Sequence, residues 1–542
     1  MKKNLLLLAL CIGQFSAFSQ IQDAWVYLTD KANIQTSIAN PISILTQKAI
    51  DRKNAHGVVI DERDVPVNEN YISLLKQQTG IMVMAKSKWF NAVHVRGTET
   101  DINALSSLNF VASIEFADKS LNSERFQQTK NKFEIENTQV NYDYGLTNNQ
   151  VVMINVDELH LQDFTGEGIT IAVLDASFKN VNTMDAFQRI RDNGDLLGGY
   201  DFIDKTINVY DYDPFPVISH GTSVLSTMAG FIQDQYVGTA PDASYYLFRT
   251  EDDNSENPVE MSYWVEAAER ADSLGVDIIN SSLAYKDFDG TNYDYTAEEM
   301  DGATTFISKG ANIAFEKGML VVNSAGNSGP NDGNHGGIWA PADAPGVLSI
   351  GAVDANGTIA FFSSRGSVFQ PNWKPDVVAQ GLAAYVVTEA NSITTNNGTS
   401  FSSPITAGGL ASLWQALPSA TNTEIMNYVR QSASKYLTPD YDYGYGIPDL
   451  GLALNIGLSL QEEKKSQIKI FPNPVGQILN IKIPNNFEDS ILTIYNVLGK
   501  VVIKQQFNNS DHTIDVSALA SGLYMLSIQS KDASKTFKFI KS

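Results

Sequence analysis

The chain has 542 residues, too many for one ordinary domain, and 43% of them are hydrophobic and 18% charged, as in globular proteins. Its formal net charge of -23 repels phosphate backbones and anionic lipid, which excludes nucleic acid and the membrane surface as main partners. We therefore expect three or four folded units and no nucleic-acid ligand.

The N-terminus has the pattern of a signal peptide over residues 1–19. Two lysines precede an apolar run over residues 5–12, and a small-residue cleavage pattern follows. The run is too short to span a bilayer, and the alternative is a buried N-terminal helix. The single cysteine, Cys11, lies in this segment, so we expect no disulfide and no cysteine-based site in the mature chain.

Residues 20–125 alternate between helical and strand-like patterns, which predicts a compact α+β module. Thr98 is placed to cap one of its helices. Polar residues dominate 126–139, which predicts a linker exposed to proteases. The predicted elements are strands over residues 24–28 and 111–116, two strands within 81–95, and helices over 41–54, 71–78 and 98–108.

Residues 140–455 alternate strands and helices, which predicts an α/β domain built on a parallel sheet. Its strands are nearly continuous apolar runs, typical of strands buried on both faces. Two of them follow helices that end at a glycine, Gly275 and Gly318. The predicted strands cover residues 169–174, 276–283, 319–323 and 347–353.

Residues 466–542 change to short alternating strands with turn residues between them, which predicts a small β-sandwich. Core packing is the simpler explanation for its aromatic residues Phe471, Tyr495 and Tyr524, which stand at strand spacing. The alternative is a carbohydrate-binding domain.

Three side chains of the α/β domain have the chemistry of nucleophilic catalysis. A serine hydroxyl needs a positioned base, and a histidine base needs a carboxylate that fixes its tautomer. Asp175 follows the first buried strand, so its carboxylate emerges at the carboxyl edge of the sheet. His220 and Ser400 each stand where a helix is predicted to begin. Pro404 should occupy the first turn of the second helix, because proline is tolerated there.

Asn327 supplies a fourth group. It lies in a glycine-flanked loop directly after a buried strand, and its side-chain amide can donate to an oxyanion together with the backbone N–H of Ser400. Each of these motifs alone is also typical of a turn or a helix cap. Their conjunction favours a peptidase, because the other histidines lack such a setting; His160 is expected to be structural and His335 to be exposed.

The order Asp, His, Ser, with the contexts His-Gly-Thr at 220–222 and Gly-Thr-Ser-x-x-x-Pro at 398–404, resembles the subtilisin-like serine peptidases. The resemblance covers residues 140–450 and implies a parallel sheet sandwiched by helices, a serine endopeptidase activity on protein or peptide substrates, and no required cofactor. Carried over by position, the residues bordering the substrate cleft are Ser282, Leu283, Ala284, Ser324, Ala325 and Gly326.

This chain departs from the family pattern at three places. Ala176 and Ser177 follow the aspartate where a small polar residue and glycine are usual, and Ser223 replaces a frequent histidine. Ala284 replaces a glycine of the cleft wall, and its methyl group is expected to narrow the pocket for the residue before the cut bond. No departure removes a catalytic group.

The terminal modules carry resemblances of their own. Residues 20–125 resemble the inhibitory propeptides of these enzymes. The last 75 or so residues, with Phe-Pro-Asn-Pro at 471–474 and Ser-Gly-Leu-Tyr at 521–524, resemble the type IX secretion sorting domains of Bacteroidetes. This implies a partner in the outer-membrane export machinery and a secreted or cell-surface protein.

An acidic stretch over residues 287–294 offers clustered oxygens of the kind that calcium takes. Its glycine is misplaced for a helix-loop-helix calcium site, so a solvated acidic loop is the favoured interpretation and no metal site is assigned. Two other functions remain open: a surface adhesin on an inactive peptidase scaffold, and an esterase that uses the same three residues.

Overall fold

A computed structural model describes residues 21–121, 142–211, 219–252, 254–330, 337–466, 469–482, 490–507, 513–529 and 534–542. The predicted signal peptide and the predicted linker at 126–139 lie outside these residues, as does His335. Within the described part of the chain, no helix is long and apolar enough to cross a membrane.

The N-terminal module is a four-stranded antiparallel sheet with helices, which confirms the predicted α+β module. The strand order is β2-β3-β1-β4. Thr98 caps a helix by accepting from the Asp101 N–H. The elements are β1 (Ile21–Leu28), α1 (Ile34–Ala39), α2 (Gln47–Ala55), α3 (Glu69–Lys76), β2 (Met82–Ser87), β3 (Ala92–Thr98), α4 (Glu99–Ala104) and β4 (Val111–Phe116).

Two helices of this module are shorter than predicted, and one of them is α4, which ends at Ala104 although the pattern extends to residue 108. The pattern over residues 41–54 predicts a continuous helix, but the structure has a single 3-10 turn at Pro41–Ser43 and begins α2 at Gln47. Thr46 explains the break, since its side chain accepts from the Ala49 N–H and caps the helix there.

The central domain is a seven-stranded parallel sheet in the order β13-β12-β11-β10-β5-β9-β6. The predicted strands are all present. The strands of the domain are β5 (Thr170–Asp175), β6 (Leu196–Asp201), β7 (Phe231–Ile232), β8 (Tyr236–Val237), β9 (Ser244–Arg249), β10 (Ile278–Ser281), β11 (Leu320–Ser324), β12 (Val347–Val353), β13 (Val377–Gln380), β14 (Ala384–Val387) and β15 (Ile393–Asn396).

Helices cover both faces of this sheet, and strand residues alternate between two apolar cores. The helices are α5 (Asn148–Val152), α6 (Asp157–His160), α7 (Gln188–Asp192), α8 (His220–Ala229), α9 (Pro258–Leu274), α10 (Phe306–Glu316), α11 (Thr399–Ala416), α12 (Asn422–Ser432) and α13 (Leu450–Ser466). Ile171 and Val173 face the core that contains α8 and α11, whereas Ala172 and Leu174 face α9 and α10.

The N-terminal module packs on the α9 side of the central domain. Trp25 and Trp89 are buried in the same core as Trp264 of α9. The indole N–H of Trp25 donates to the Ser262 hydroxyl at 2.9 Å, and Glu269 accepts from the Lys88 and Trp89 N–H groups. The module therefore shares a core with the domain that follows it.

The C-terminal module consists of two antiparallel sheets, β16-β17-β20 and β19-β18-β21-β22, around one separate core. Tyr524 stacks on Phe539 in that core, as expected, but Phe471 is 52% exposed. The prediction of core packing is therefore wrong for Phe471. The strands are β16 (Lys469–Phe471), β17 (Ile478–Lys482), β18 (Ser490–Asn496), β19 (Val501–Phe507), β20 (Thr513–Asp515), β21 (Gly522–Gln529) and β22 (Ser534–Lys541).

Candidate active site

Asp175 is the last residue of β5, and its carboxylate lies at the carboxyl edge of the parallel sheet. The side chain is fully buried. Its Oδ1 accepts from the Ala176 N–H at 2.8 Å and lies 2.7 Å from Nδ1 of His220. Because a carboxylate only accepts, Nδ1 carries the proton of this hydrogen bond and Nε2 is left as the basic nitrogen.

His220 is the first residue of α8, and the start of this helix lies close against the end of β5. A Cβ at Gly221 would lie 2.5 Å from the Ser177 carbonyl oxygen and 3.0 Å from the Asp175 Cβ, so a glycine is required there. The imidazole is 29% exposed, which leaves it accessible to a substrate.

A hairpin formed by β14 and β15 holds the helix that carries His220. The Ser219 hydroxyl donates to the Glu389 carboxylate. Ser223, which stands where the family often has histidine, donates to the Val387 carbonyl at 3.4 Å. The chain then leaves β15 at Asn396, four residues before Ser400, so one hairpin contacts the histidine segment and leads to the serine.

Ser400 is the second residue of α11, and Gly398 precedes the helix with a φ of 155°. The N–H groups of a first helical turn have no partner within the helix, and the helix dipole favours negative charge beside them. The ring of Phe401, the next residue, lies 6.0 Å from the His220 ring. The start of α11 and the start of α8 therefore meet at one edge of the sheet.

Pro404 is the sixth residue of α11, so the prediction that it stands in the first turn is wrong. A proline at this position has no N–H for the carbonyl of Ser400, four residues before it. The Ser282 hydroxyl donates to that carbonyl at 2.9 Å in its place. A residue of the expected cleft wall thus compensates the helix defect beside the serine.

Asn327 lies on the exposed loop after β11, and its orientation is fixed by Thr399. Its Oδ1 accepts from the Thr399 N–H at 2.9 Å and from the Thr399 hydroxyl at 3.0 Å. The amide NH₂ group consequently points away from Thr399. Its Nδ2 would lie 3.6 Å from a Cβ at Gly398, so the donor is next to the residue that precedes α11.

The two expected cleft segments, 282–284 and 324–326, are adjacent. Asn323 joins them, because its Nδ2 donates to the Leu283 carbonyl at 2.9 Å and to the Ser324 carbonyl at 2.8 Å. Gly326 donates its N–H to the Thr399 hydroxyl at 3.2 Å. Ala325 is fully buried, whereas Ala284 is partly exposed.

A cluster of carboxylates near Asp175 was not predicted. Oxygen atoms of Glu251, Glu256 and Glu260 lie within 4.8 Å of one another, and the Tyr285 hydroxyl donates to Glu251 at 2.5 Å. Burial raises the pKa of Glu256 to about 7 and that of Glu260 to about 8, and that of Glu251 well above its usual range. Held protons therefore reduce the repulsion between these side chains.

The carboxylates of the acidic stretch at residues 287–294 make hydrogen bonds and an ion pair with other groups of the protein. Asp294 accepts from the Phe288 N–H at 2.7 Å, and Asp289 accepts from the Glu256 N–H at 3.1 Å. Asp287 pairs with Lys286 at 3.1 Å. Asp294 therefore stabilises its own loop, and Asp289 joins that loop to the segment that contains Glu256. The signal for the glutamate cluster is local, because its three Glu residues lie within ten positions of the sequence.

The model of the subtilase family matches residues 166–446, more than half of the chain. The chain belongs to the subtilase family. The propeptide domain of Bacteroidota S8 peptidases matches residues 23–134 of this subtilase, and a secretion-system C-terminal sorting domain matches residues 469–542. These matches confirm the resemblances that the sequence suggested for all three folded regions.

Curated relatives agree with this assignment, and a solved structure shares the fold. The subtilase is 28% identical over 298 residues to subtilisin DY of Bacillus licheniformis, which covers 55% of this chain and 94% of that protein. It is 26% identical over 392 residues to subtilisin E of Bacillus subtilis, covering 70% and 88%. The fold matches the epidermin leader peptide processing serine protease of Staphylococcus aureus with a TM-score of 0.53 at 17% identity, covering 81% and 98%.

The three matched regions together define the biochemical class. The protein is an exported serine endopeptidase that is made as a proenzyme, with an N-terminal propeptide and a C-terminal sorting domain. The bounds given above for the three folded regions, residues 20–125, 140–455 and 466–542, remain predictions.

Proposed function

We propose that the endopeptidase works through Asp175, His220 and Ser400. His220 removes the Ser400 proton as the hydroxyl oxygen attacks a peptide carbonyl carbon, and Asp175 stabilises the imidazolium that forms. The imidazolium then gives the proton to the leaving amine, and water releases the acyl group. The 2.7 Å hydrogen bond between Asp175 and His220, at the edge where α11 begins, is the observation that carries this proposal.

Asn327 and the Ser400 N–H are the proposed oxyanion donors. The Asn327 carbonyl oxygen is engaged by Thr399, which supports an outward-facing NH₂ group. A donor fixed before the reaction needs no reorganisation when the oxyanion develops. Residues 282–284 and 324–326 would border the peptide, and no cofactor enters these steps.

The N-terminal residues 1–19 would direct the chain across the inner membrane, and the sorting domain would then engage the outer-membrane machinery. The proposed substrates are proteins and peptides of the surroundings. The propeptide would block the cleft until the linker at 126–139 is cut and the propeptide leaves.

Self-processing tests the assignment of the nucleophile. Full-length Ser400→Ala should keep its propeptide and lose peptide hydrolysis by about 10⁶-fold, the loss that removing the nucleophile causes in a subtilisin. Intact mass, casein hydrolysis and labelling by a fluorophosphonate are the measurements. Ser412→Ala is the matched control, because its hydroxyl is buried in the same helix and donates to the Thr239 carbonyl.

Processing and labelling of Ser400→Ala at the wild-type level would overturn the assignment. An unlabelled wild-type protein would favour an adhesin on an inactive scaffold. Hydrolysis of esters but not of peptides would favour an esterase.

A further inference from the structure

The helix that carries His220 begins without a side-chain cap. Ser219 precedes α8, and a serine at such a position usually accepts a hydrogen bond from an N–H group of the first turn. Here the Ser219 side chain makes no such bond, and its hydroxyl donates to the Glu389 carboxylate instead. The start of α8 is therefore held by a residue 170 positions away and not by its own cap.

Glu389 lies in the turn of the β14–β15 hairpin, and this turn is fixed by the segment that follows Asp175. The Asn180 side chain donates to the Glu389 carbonyl at 3.0 Å. Asn391 of the same turn accepts from the Ala186 N–H at 3.1 Å. Through its carbonyl and its carboxylate, Glu389 therefore joins the two segments that carry the proposed catalytic aspartate and histidine.

The rest of the hairpin is docked on α8 independently of Glu389. The Ser223 hydroxyl donates to the Val387 carbonyl at 3.4 Å, and the Ser226 hydroxyl accepts from the Val387 N–H at 2.9 Å. Both serines are buried, and with Ser219 they lie on one side of the helix, because they follow each other at helical spacing. Loss of the Glu389 carboxylate should consequently leave the hairpin in place and release only the first turn of α8.

The first turn of α8 sets the position of the basic nitrogen of His220. His220 is the first helical residue, and Asp175 engages its Nδ1 at 2.7 Å. Displacement of the helix start would move Nε2 relative to the Ser400 hydroxyl. A misplacement of about 1 Å can cost ~10²-fold in rate, so the geometry of the base depends on what holds the residue before it.

We infer that Glu389 is a positioning residue of the active site, which accepts from Ser219 and so holds the start of α8 with Nε2 of His220 directed at Ser400. Glu389 acts through Ser219 and not on the substrate. The inference rests on the proposed function, since it assumes that His220 is the base. It gives the turn of the β14–β15 hairpin a part in the hydrolysis of the peptide bond.

Two substitutions remove this contact from opposite sides. Glu389→Ala removes the acceptor and Ser219→Ala removes the donor. Each should lower kcat for a peptide amide about tenfold and leave KM within about twofold, because the base acts only after the substrate is bound. The double variant should lose no more than either single variant, since both changes break one hydrogen bond. The measurements are kcat and KM of the processed protein, normalised by titration of the active serine with a fluorophosphonate.

A conservative variant separates positioning from a general loss of stability. In Glu389→Gln, the amide oxygen accepts the same hydrogen bond, so kcat should return to within about threefold of wild type. Glu298→Ala is the matched control, because Glu298 is an exposed carboxylate in the loop before α10, and its kcat should not change. If Glu389→Ala does not fold, Ser219→Ala and Glu389→Gln still test the contact.

A wild-type kcat in Ser219→Ala, or in a folded Glu389→Ala protein, would overturn the positioning role. Losses that multiply to about a hundredfold in the double variant would do the same, because the two residues would then act separately. A Glu389→Gln protein as impaired as Ser219→Ala would show that the acceptor does not matter. Peptide hydrolysis by Ser400→Ala at the wild-type level would instead overturn the proposed function, whatever the Glu389 variants do.

Discussion

His160 and His220 are in opposite situations, although both belong to the catalytic domain. His160 is fully buried, and both ring nitrogens have partners, the Tyr144 hydroxyl and the Thr239 carbonyl, each at 3.0 Å. No lone pair is left for a base. His220 uses one nitrogen for Asp175 and is partly exposed. The sequence predicts a structural role for His160, which lies on a helix before the sheet, and a catalytic role for His220, which begins a helix next to a glycine.

The burial of His160 has a consequence for acid stability. Burial lowers the pKa of His160 to about 4, against 6.5 when the residue is exposed. Between these pH values the unfolded chain binds a proton that the folded chain does not, so the free energy of unfolding falls as pH falls. The stabilisation is complete above pH 6.5, and about 3 kcal/mol of it is lost by pH 4.

Urea denaturation of the Ser400→Ala protein, which is expected not to cleave itself, measures this loss at several pH values. His160→Gln in the same background should have a shallower dependence in that range, since glutamine does not titrate. Parallel curves for the two proteins would show that His160 is not responsible.

At the scale of elements, most strands and helix starts follow from local sequence. The strand at Val347–Val353 and the start of α8 at His220 agree with their predictions, because apolar runs and glycines act within a few residues. The position of Pro404 inside α11 did not follow from local sequence. The hydrogen bond that its missing N–H would supply comes instead from Ser282, more than a hundred positions away. Local patterns carry no information about such a partner.

The Ser282–Ser400 hydrogen bond predicts an unusual rescue. Ser282→Ala leaves the buried Ser400 carbonyl without this donor and should lower the free energy of unfolding by about 1–3 kcal/mol. Adding Pro404→Ala restores a helical N–H for the same carbonyl, so it should recover about 1 kcal/mol in the Ser282→Ala protein.

A double-mutant cycle in urea, again with Ser400→Ala as the background, measures the coupling. An equal effect of Pro404→Ala with and without Ser282 would mean that the two residues do not share this carbonyl.

At the scale of the whole molecule, the order of the modules was predictable from composition and motifs. The side-chain contacts between the modules were not predictable from the sequence. Arg52 and Asp272 are 220 residues apart, and the sequence offers many other carboxylates for the same cation. The glutamate cluster beside Asp175 lies within ten positions of the sequence, so its signal is local, but the burial of its carboxylates depends on the packing around them.

The separate core of the C-terminal module predicts that its removal affects export and not folding. Deletion of residues 469–542 takes away one complete apolar cluster and leaves the cores of the other modules intact. We expect the truncated protein to be processed but retained by the cell. Immunodetection in cells and medium, with casein hydrolysis by cell extracts, tests this. Unchanged export would contradict a sorting role, and inactive extracts would contradict independent folding.

The propeptide cations Arg52, Lys53 and Lys88, which pair with the buried Asp272 of α9, also bear on whether activation can reverse. When they depart, water surrounds the carboxylate, and that hydration must be stripped off again before the two parts can rejoin. Salt screens buried ion pairs weakly, so the precursor should be equally stable at high and at low ionic strength. Dilution, by mass action, keeps the separated parts apart. Outside the cell, the separation of the propeptide from the catalytic domain is therefore expected to be irreversible.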